Sequence, residues 1–262
     1  MHIPRKRFGQ HFLKDQSVIE RIVAALHPCI KEHLVEIGPG QGAITLPVLK
    51  QAKVLEAVEL DRDLIPALKE RCHRAGELQV YPADVLTFDF NTIKKDDRLL
   101  RLFGNLPYNI STPLIFHLIQ YAPIMKDMLF MVQKEVAERM AADVNTNHYG
   151  RLSVMVQYHW QVDFLFEVSA HAFHPPPQVE SAIIRLTPHA ELPYRAKDYA
   201  MFEAIVKQAF GQRRKTLRNS LKNSVSDAVW ERIAISPKLR AENVSVEEFV
   251  AIANALFDDE AN

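Results

Sequence analysis

Val35-Glu36-Ile37-Gly38-Pro39-Gly40-Gln41-Gly42 decides the fold of this chain. An apolar run ends in alternating glycines, and a helical pattern over residues 43–49 follows at once. Glycine lets a backbone turn sharply and approach a ligand closely. A strand, a glycine loop and a helix in that order are how an open parallel sheet holds a nucleotide beyond the carboxyl ends of its strands. Outward from this loop, further apolar runs lie at 54–60, 78–82, 99–104 and 128–133, then at 162–168 and 181–186. Helical periodicity separates the earlier ones, at 18–26, 62–75 and 114–121. Strands alternating with helices predict an α/β fold, a parallel sheet with helices on both faces. The last two runs have no long helix between them and predict an antiparallel hairpin at one edge. Past the prolines at 188 and 193 the pattern turns helical, over 202–210, 215–223, 225–233 and 246–256. Two domains are expected, 1–189 and a small all-helical one at 190–262.

Composition narrows the class. The chain has 262 residues, 48% hydrophobic and 24% charged, ordinary for a soluble globular protein. No apolar run approaches the roughly 20 residues needed to span a bilayer, and Met-His-Ile-Pro-Arg-Lys-Arg leads into no apolar secretory segment. Cys29 and Cys72 show no pairing pattern, which predicts a reduced, cytoplasmic chain with both as small buried residues. The net charge of +0 argues against a generic nucleic-acid coat protein. Its distribution is uneven. Arg5, Lys6, Arg7 and Lys14 precede the first acid, and Lys207, Arg213, Arg214, Lys215, Arg218 and Lys222 fill an acid-free stretch between Glu203 and Asp227. Such clusters read as a localised phosphate-binding surface, or else as two solvated basic faces.

Candidate chemistry follows the strands. Glu59, 21 residues after Gly38, ends the second strand, where a carboxylate accepts from ribose hydroxyls. Asp84 follows the third strand, placed to accept from an adenine amine. The fourth strand runs into Asn105-Leu106-Pro107-Tyr108. An aromatic amine is a poor nucleophile because its lone pair is conjugated into the ring, and two acceptors on its N–H bonds free that pair. The Asn105 side-chain oxygen and the Leu106 carbonyl are candidates for the two, Pro107 fixes the turn, and Tyr108 offers a stacking face. The plainer reading is a strand-to-helix turn. For the glycine loop, with Gly38 and Gly40 at the ligand, G-x-G-x-x-A also suits a dinucleotide. The compact G-x-G-x-G spacing, the second acid Asp84, the Asn105 turn and the lack of a hydride-transfer dyad favour S-adenosylmethionine.

These blocks, in this order, are found elsewhere. Arg7-Phe8-Gly9-Gln10-His11-Phe12-Leu13, the glycine loop, Glu59, Asp84, the Asn105 turn, Phe173-His174-Pro175-Pro176-Pro177-Gln178-Val179-Glu180-Ser181 and Phe210-Gly211-Gln212-Arg213-Arg214-Lys215-Thr216-Leu217 span nearly the whole chain. It resembles the ribosomal RNA adenine dimethyltransferases, and among them the small-subunit branch linked to kasugamycin sensitivity. The resemblance implies a Rossmann-like S-adenosylmethionine-dependent methyltransferase sheet with a helical C-terminal domain. It also implies transfer of two methyls to each of two adjacent adenosines in a hairpin near the 3′ end of small-subunit RNA, leaving S-adenosylhomocysteine, and a role in subunit biogenesis. The partner implied is a partly assembled small subunit, met by a monomer. Cofactor contacts carry over to His11, Leu13, Gly38, Glu59, Asp84 and Asn105, although many relatives have Asn where this chain has His11. Phe173 is implied to face Tyr108 across a flipped adenine, whose unstacking costs a few kcal/mol and whose stacking on aromatics recovers about 1–3 kcal/mol. Arg5, Lys6, Arg7, Arg213, Arg214, Lys215, Arg218 and Lys222 would hold phosphates.

Other readings stay open at this stage: a large-subunit adenine dimethyltransferase of the resistance type, a small-subunit assembly factor whose value is occupancy, and a dinucleotide oxidoreductase. His171 and His174 lack companions with ligand spacing, so no metal site is expected. His117 reads as a core-edge residue, and Tyr149-Gly150-Arg151 as a helix start.

Overall fold

The computed structural model describes residues 11–212 and 214–260. In chain order its elements are β1 (Phe12–Leu13), α1 (Gln16–Leu26), β2 (His33–Ile37), α2 (Thr45–Ala52), β3 (Val54–Val58), α3 (Ile65–Cys72), β4 (Glu77–Tyr81), β5 (Leu100–Asn105), α4 (Ser111–Leu118), β6 (Met125–Gln133), α5 (Lys134–Met140), α6 (Arg151–His159), β7 (Trp160–Val168), β8 (Phe173–His174), β9 (Ser181–Pro188), α7 (Tyr199–Phe210), α8 (Leu217–Ser220), α9 (Asp227–Arg232) and α10 (Val246–Glu260). All seven apolar runs become strands of one sheet, in the order β4-β3-β2-β5-β6-β9-β7. β2 to β6 pair in parallel, and β9 inserts antiparallel to β6. From β2 the chain works outward through β3 to β4, then returns to add β5 and β6 on the other side. The switch point therefore lies between β2 and β5, where the glycine loop and the Asn105 turn both leave the sheet.

Local sequence explains the elements. β2 is buried at every residue, as a central parallel strand covered on both faces must be. Asp15 caps α1 by accepting from the Ser17 and Val18 N–H groups, and Val18, Ile19, Ile22, Val23 and Leu26 face the core. At the opening of α10, Ser245 and Glu248 exchange hydrogen bonds as a capping box. Charged groups fasten the sheet at the end away from the switch-point loops. Arg101 reaches both Asp127 oxygens, at 2.7 and 2.8 Å, and Glu32 at 2.5 Å. His33, Tyr81 and Lys95 converge on Glu56 and hold its carboxyl below the usual range, despite burial that acts to raise it.

The chain forms two compact units. One takes the chain up to Ala137 with Asp163–Pro188, and the other takes Glu138–Val162 with the chain from His189 onward. The expected break near 190 is thus one of several crossings. Residues 138–162 join the C-terminal helices through side-chain contacts: the buried Tyr149 donates to the Val244 carbonyl, and the Tyr158 ring lies 4.7 Å from that of Phe202. The helix expected over 215–223 shrinks to Leu217–Ser220. The Leu217 and Arg218 N–H groups donate to Leu239 and Pro237, which holds this segment against a neighbouring one. Cys72 is buried as expected, but Cys29 is exposed. No helix among the described residues is long and apolar enough to cross a membrane.

One contact sets the spacing at the switch point. A Cβ built on Gly104 of β5 would lie 2.3 Å from the Ile37 carbonyl oxygen of β2. Gly104→Ala must push the two central strands apart. It should cost about 1–3 kcal/mol by overpacking, read as a lower midpoint in urea unfolding with an unchanged slope.

Candidate active site

The loops leaving β2, β3, β4 and β5 enclose a cavity of about 390 Å³. The glycine loop turns through Gly38 at φ +64° and Gly40 at φ +55°, a region that L side chains avoid. A Cβ at Gly40 would meet the Phe12 ring of β1 at 3.3 Å. Gly38 lies beside the Asn105 backbone, its built Cβ being 4.0 Å from the Asn105 carbonyl oxygen. His11, Leu13, Gly38, Gly40, Glu59, Asp84 and Asn105 all line this one cavity, as do Leu106, Pro107 and Tyr108. Residues scattered over nearly a hundred positions of sequence thus meet in one place.

The acids are held in definite ways. Glu59 is 6% exposed. It accepts from the Gly40 N–H at 3.0 Å and the Asp61 N–H at 2.8 Å. Burial pushes its carboxyl up, and those backbone donors oppose the shift. Asp84 is exposed and accepts from the Leu86 N–H at 2.9 Å. Beneath the loop lies an acid that the motif reading passed over. Glu36 is 2% exposed, and burial pushes it up to about 8, with the Glu59 charge adding to the rise. Its Oε2 and the Thr45 hydroxyl have no hydrogen-bond partner among the described residues. The sequence signal was present, an acid in an otherwise apolar strand two residues before Gly38. Acids with apolar walls (Val85, Leu64 and Ile44) and no lysine or arginine among the described lining residues oppose a pyrophosphate.

The Asn105 turn is tied down from three sides. The Asn105 amide nitrogen donates to the His11 carbonyl at 3.0 Å, so the amide oxygen is the end left to the cavity. The Leu106 N–H donates to Met131 at 3.0 Å. No hydrogen bond among the described residues ends on the Leu106 carbonyl. Tyr108 shares a 2.9 Å hydrogen bond with Ser181, and its ring stacks on that of His11, 5.9 Å between centroids and 25° between planes.

Phe173 stands elsewhere. It is 1% exposed, packed in the apolar core, because β8 pairs with β1 in the register Leu13↔Phe173, which turns that ring inward. Phe173 is not among the residues that line the cavity, and the ring stacked on Tyr108 is that of His11. Of the basic residues, Arg214, Lys215, Arg218 and Lys222 are exposed. Arg218 pairs with Asp227 at 2.7 Å. Arg5, Lys6, Arg7 and Arg213 lie outside the described residues. His117 is half-buried, edge-on to Tyr121, and α6 starts at Arg151, both as read. No group of three or more metal-ligating side chains is found among the described residues.

A parallel sheet switching between β2 and β5, with this cavity at its carboxyl edge, defines a nucleoside-binding α/β enzyme of the methyltransferase type. The chain matches the ribosomal RNA adenine dimethylase family over residues 1–258. It is 49% identical to ribosomal RNA small subunit methyltransferase A of Pseudomonas putida, over 99% of this chain and 97% of that protein. It is 52% identical to the protein of the same name from Chromohalobacter salexigens, over 97% and 91%. A solved dimethyladenosine transferase from Plasmodium falciparum superimposes with a TM-score of 0.77 at 27% identity, covering 92% of this chain and 96% of that one. The chain belongs to the ribosomal RNA adenine dimethylase family, enzymes that use S-adenosylmethionine, and the dinucleotide reading is set aside.

Glu36 carries a pH signature. Its folded pKa lies above the unfolded one, so the folded chain keeps a proton that the unfolded chain loses. That stabilisation is complete below about 4.5 and is lost as pH rises through about 8. Glu36→Gln should therefore raise Tm of the cofactor-free protein by several degrees at pH 8 (about 3 °C per kcal/mol) and by much less at pH 5, measured by calorimetry.

Proposed function

We propose that this enzyme dimethylates the N6 amines of two adjacent adenosines in a hairpin near the 3′ end of small-subunit ribosomal RNA, as a step in small-subunit biogenesis. Identity of about half the residues with small subunit methyltransferases A, across nearly their full length, supports the choice of substrate. The observation that carries the chemistry is the Asn105 turn. With its amide nitrogen engaged by His11, Asn105 presents an oxygen, and the Leu106 carbonyl is a second acceptor beside it. Two acceptors on one amine hold its N–H bonds and release its lone pair from the ring. The Tyr108 ring, fixed by Ser181, stacks on the base.

When bound, S-adenosylmethionine supplies an electrophilic methyl on a cationic sulfur. Glu59 would hold its ribose, Asp84 its adenine amine, and the Gly38 and Gly40 backbone its close approach, with His11, Leu13 and Asn105 toward the methionine end. The chain's contribution to rate is positioning and acceptance of developing positive charge. Arg5, Lys6, Arg7, Arg213, Arg214, Lys215, Arg218 and Lys222 are assigned to RNA phosphates, in the C-terminal unit and the N-terminal segment. The partner is a partly assembled small subunit, approached by a monomer in the cytoplasm.

Tritium transfer from labelled S-adenosylmethionine to small subunits lacking the modification tests this reading. Dimethyladenosine recovered from the small subunit supports it. Label in the large subunit alone moves the enzyme to the other branch, and tight binding without label leaves an assembly factor. Asn105→Ala should lower kcat about 100-fold, as loss of alignment does, with a smaller change in cofactor Kd. Equal turnover would remove the acceptor pair. Changing Arg213, Arg214 and Lys215 to Ala should flatten the dependence of log Kd on log salt by roughly 0.7–0.9 for each phosphate no longer neutralised, and an unchanged slope would move the phosphate surface elsewhere.

A further inference from the structure

The second compact unit holds a cavity of its own, of about 370 Å³. Trp160 walls it at the start of β7, together with Gln157 and Tyr158 from the end of α6, and with Asp143, His189 and Tyr194. Trp160 is fully buried, yet its Nε1–H has no hydrogen-bond partner among the described residues. Nearly every buried donor in a folded protein is paired, so this one calls for an acceptor from outside the chain. The neighbouring groups are already oriented. Gln157 uses both amide hydrogens on the Met140 and Ala142 carbonyls, at 2.8 and 2.9 Å, which leaves its oxygen. His189 Nε2 lies 3.0 Å from the Gln157 carbonyl. A carbonyl can only accept, so in the neutral ring the lone pair is on Nδ1. Tyr158 is fixed as well, its hydroxyl accepting from the Ala196 N–H at 3.1 Å.

These groups define what the cavity takes. Among the described residues no lysine or arginine lines it, and Asp143 does. A phosphate or a carboxylate finds no counter-charge there. A bare cation leaves the indole N–H unmet. A flat, neutral ring with an acceptor beside N–H donors suits every group: the indole N–H gives to its acceptor, and the Gln157 oxygen, His189 Nδ1 or the Asp143 carboxylate takes from its donors. Nucleobases carry such an edge. An unpaired base splayed out of RNA is recognised by stacking on aromatic side chains and by hydrogen bonds along that edge. We propose that this cavity receives one unpaired base of small-subunit RNA, apart from the adenosines that are methylated, and that Trp160 Nε1 donates to it. The source of the base rests on the small-subunit reading above.

A base held here does what phosphate contacts do not. Contacts to phosphates fix orientation but carry no sequence information, which comes from the base edges. The exposed Arg214, Lys215, Arg218 and Lys222 of the same unit can attract RNA of any sequence. A pocket that accepts one base gives the RNA a register. Its size is within the range of roughly 300–1,000 Å³ that small-ligand pockets occupy. Tyr194 is 39% exposed, so one wall is open to solvent, while Trp160 closes the opposite requirement, a buried donor that only a seated ring can satisfy.

Two measurements test the assignment. The chain has two tryptophans, so its nitrogen-15 spectrum carries two indole N–H signals, and survival in Trp230→Phe or loss in Trp160→Phe identifies that of Trp160. Adenosine, guanosine, cytidine and uridine are added in turn, with S-adenosylhomocysteine saturating the first cavity. At least one nucleoside should move the Trp160 signal saturably, and Tyr194→Ala should abolish the movement. A signal that none of the four moves would overturn the proposal and leave the N–H to a bound water. The second measurement is affinity for small subunits. Tyr194→Ala, with Tm unchanged, should raise Kd about 10-fold, as loss of one stacked base does. It should do so equally at every salt concentration, because a base contact releases no counterions. Trp160→Phe should raise Kd about 3–10-fold, the effect of one hydrogen bond. An unchanged Kd in Tyr194→Ala would make the cavity a site for free nucleosides and overturn the RNA assignment. A loss accompanied by a flatter salt slope would make the rim a phosphate contact and overturn it too. A wild-type chain that places no label on small subunits would defeat the dimethylation reading instead, and the nucleoside result would still stand.

Discussion

The site depends on how closely β5 runs beside β2. The Ile37 carbonyl lies where a side chain at Gly104 would begin, and the next residue on each strand is one the proposed chemistry uses: Gly38 opens the glycine loop and Asn105 opens the turn assigned to the amine. Because the strands are parallel and in register up to Glu36↔Phe103, both loops leave the sheet at the same level. A sheet spread by even one side chain would separate the group that seats the cofactor from the group that aims the amine. Alignment errors of about 1 Å are enough to cost two orders of magnitude in rate. The charged network of Arg101, Asp127 and Glu32 fastens the central strands at their other end.

Charge at the cavity follows from the same packing. Glu36 points into the layer under α2 because residues alternate along a strand and Val35 and Ile37 take the other face. Burial there, only weakly opposed by the nearby Thr45 side chain, is expensive for an ionised carboxylate, which explains why its proton is held to about pH 8. Glu59 sits at the end of the neighbouring strand and keeps two backbone donors. Among the described residues no lysine or arginine lines the cavity, so a pyrophosphate would find no counter-charge there.

Much of this was readable in the residues, for physical reasons. Apolar runs of strand length, separated by helical periodicity, leave few architectures, and the glycine loop marks where such a sheet binds. Glu59, Asp84 and Asn105 could be located because each follows a strand that ends at the same edge. What could not be read was decided by contacts rather than by pattern. Tyr149 and Tyr158 draw residues 138–162 into the C-terminal unit through partners far away in sequence. The burial of Phe173 could not be read from pattern, because a two-residue strand carries no usable periodicity, and it shows only in the packing. The helix expected over 215–223 covers only Leu217–Ser220, and its first N–H groups are satisfied by carbonyls at 237 and 239 that no local pattern announces.

On the proposed reading, the same hydrogen bonds suit this turn to an amine rather than a carbonyl. The donors around it are committed: the Asn105 amide nitrogen to the His11 carbonyl, His11 Nδ1 to the Pro175 carbonyl, and the Leu106 N–H to Met131. What remains at this turn is a pair of acceptors, the Asn105 oxygen and the Leu106 carbonyl. An adenine N6 brings two N–H bonds to them. A keto oxygen in the same place would set lone pairs against lone pairs and leave buried polar groups unpaired, a penalty far larger than any loss of stacking. On the proposed reading, discrimination between purines would come from committing these donors inside the protein, with the His11 ring stacked against Tyr108.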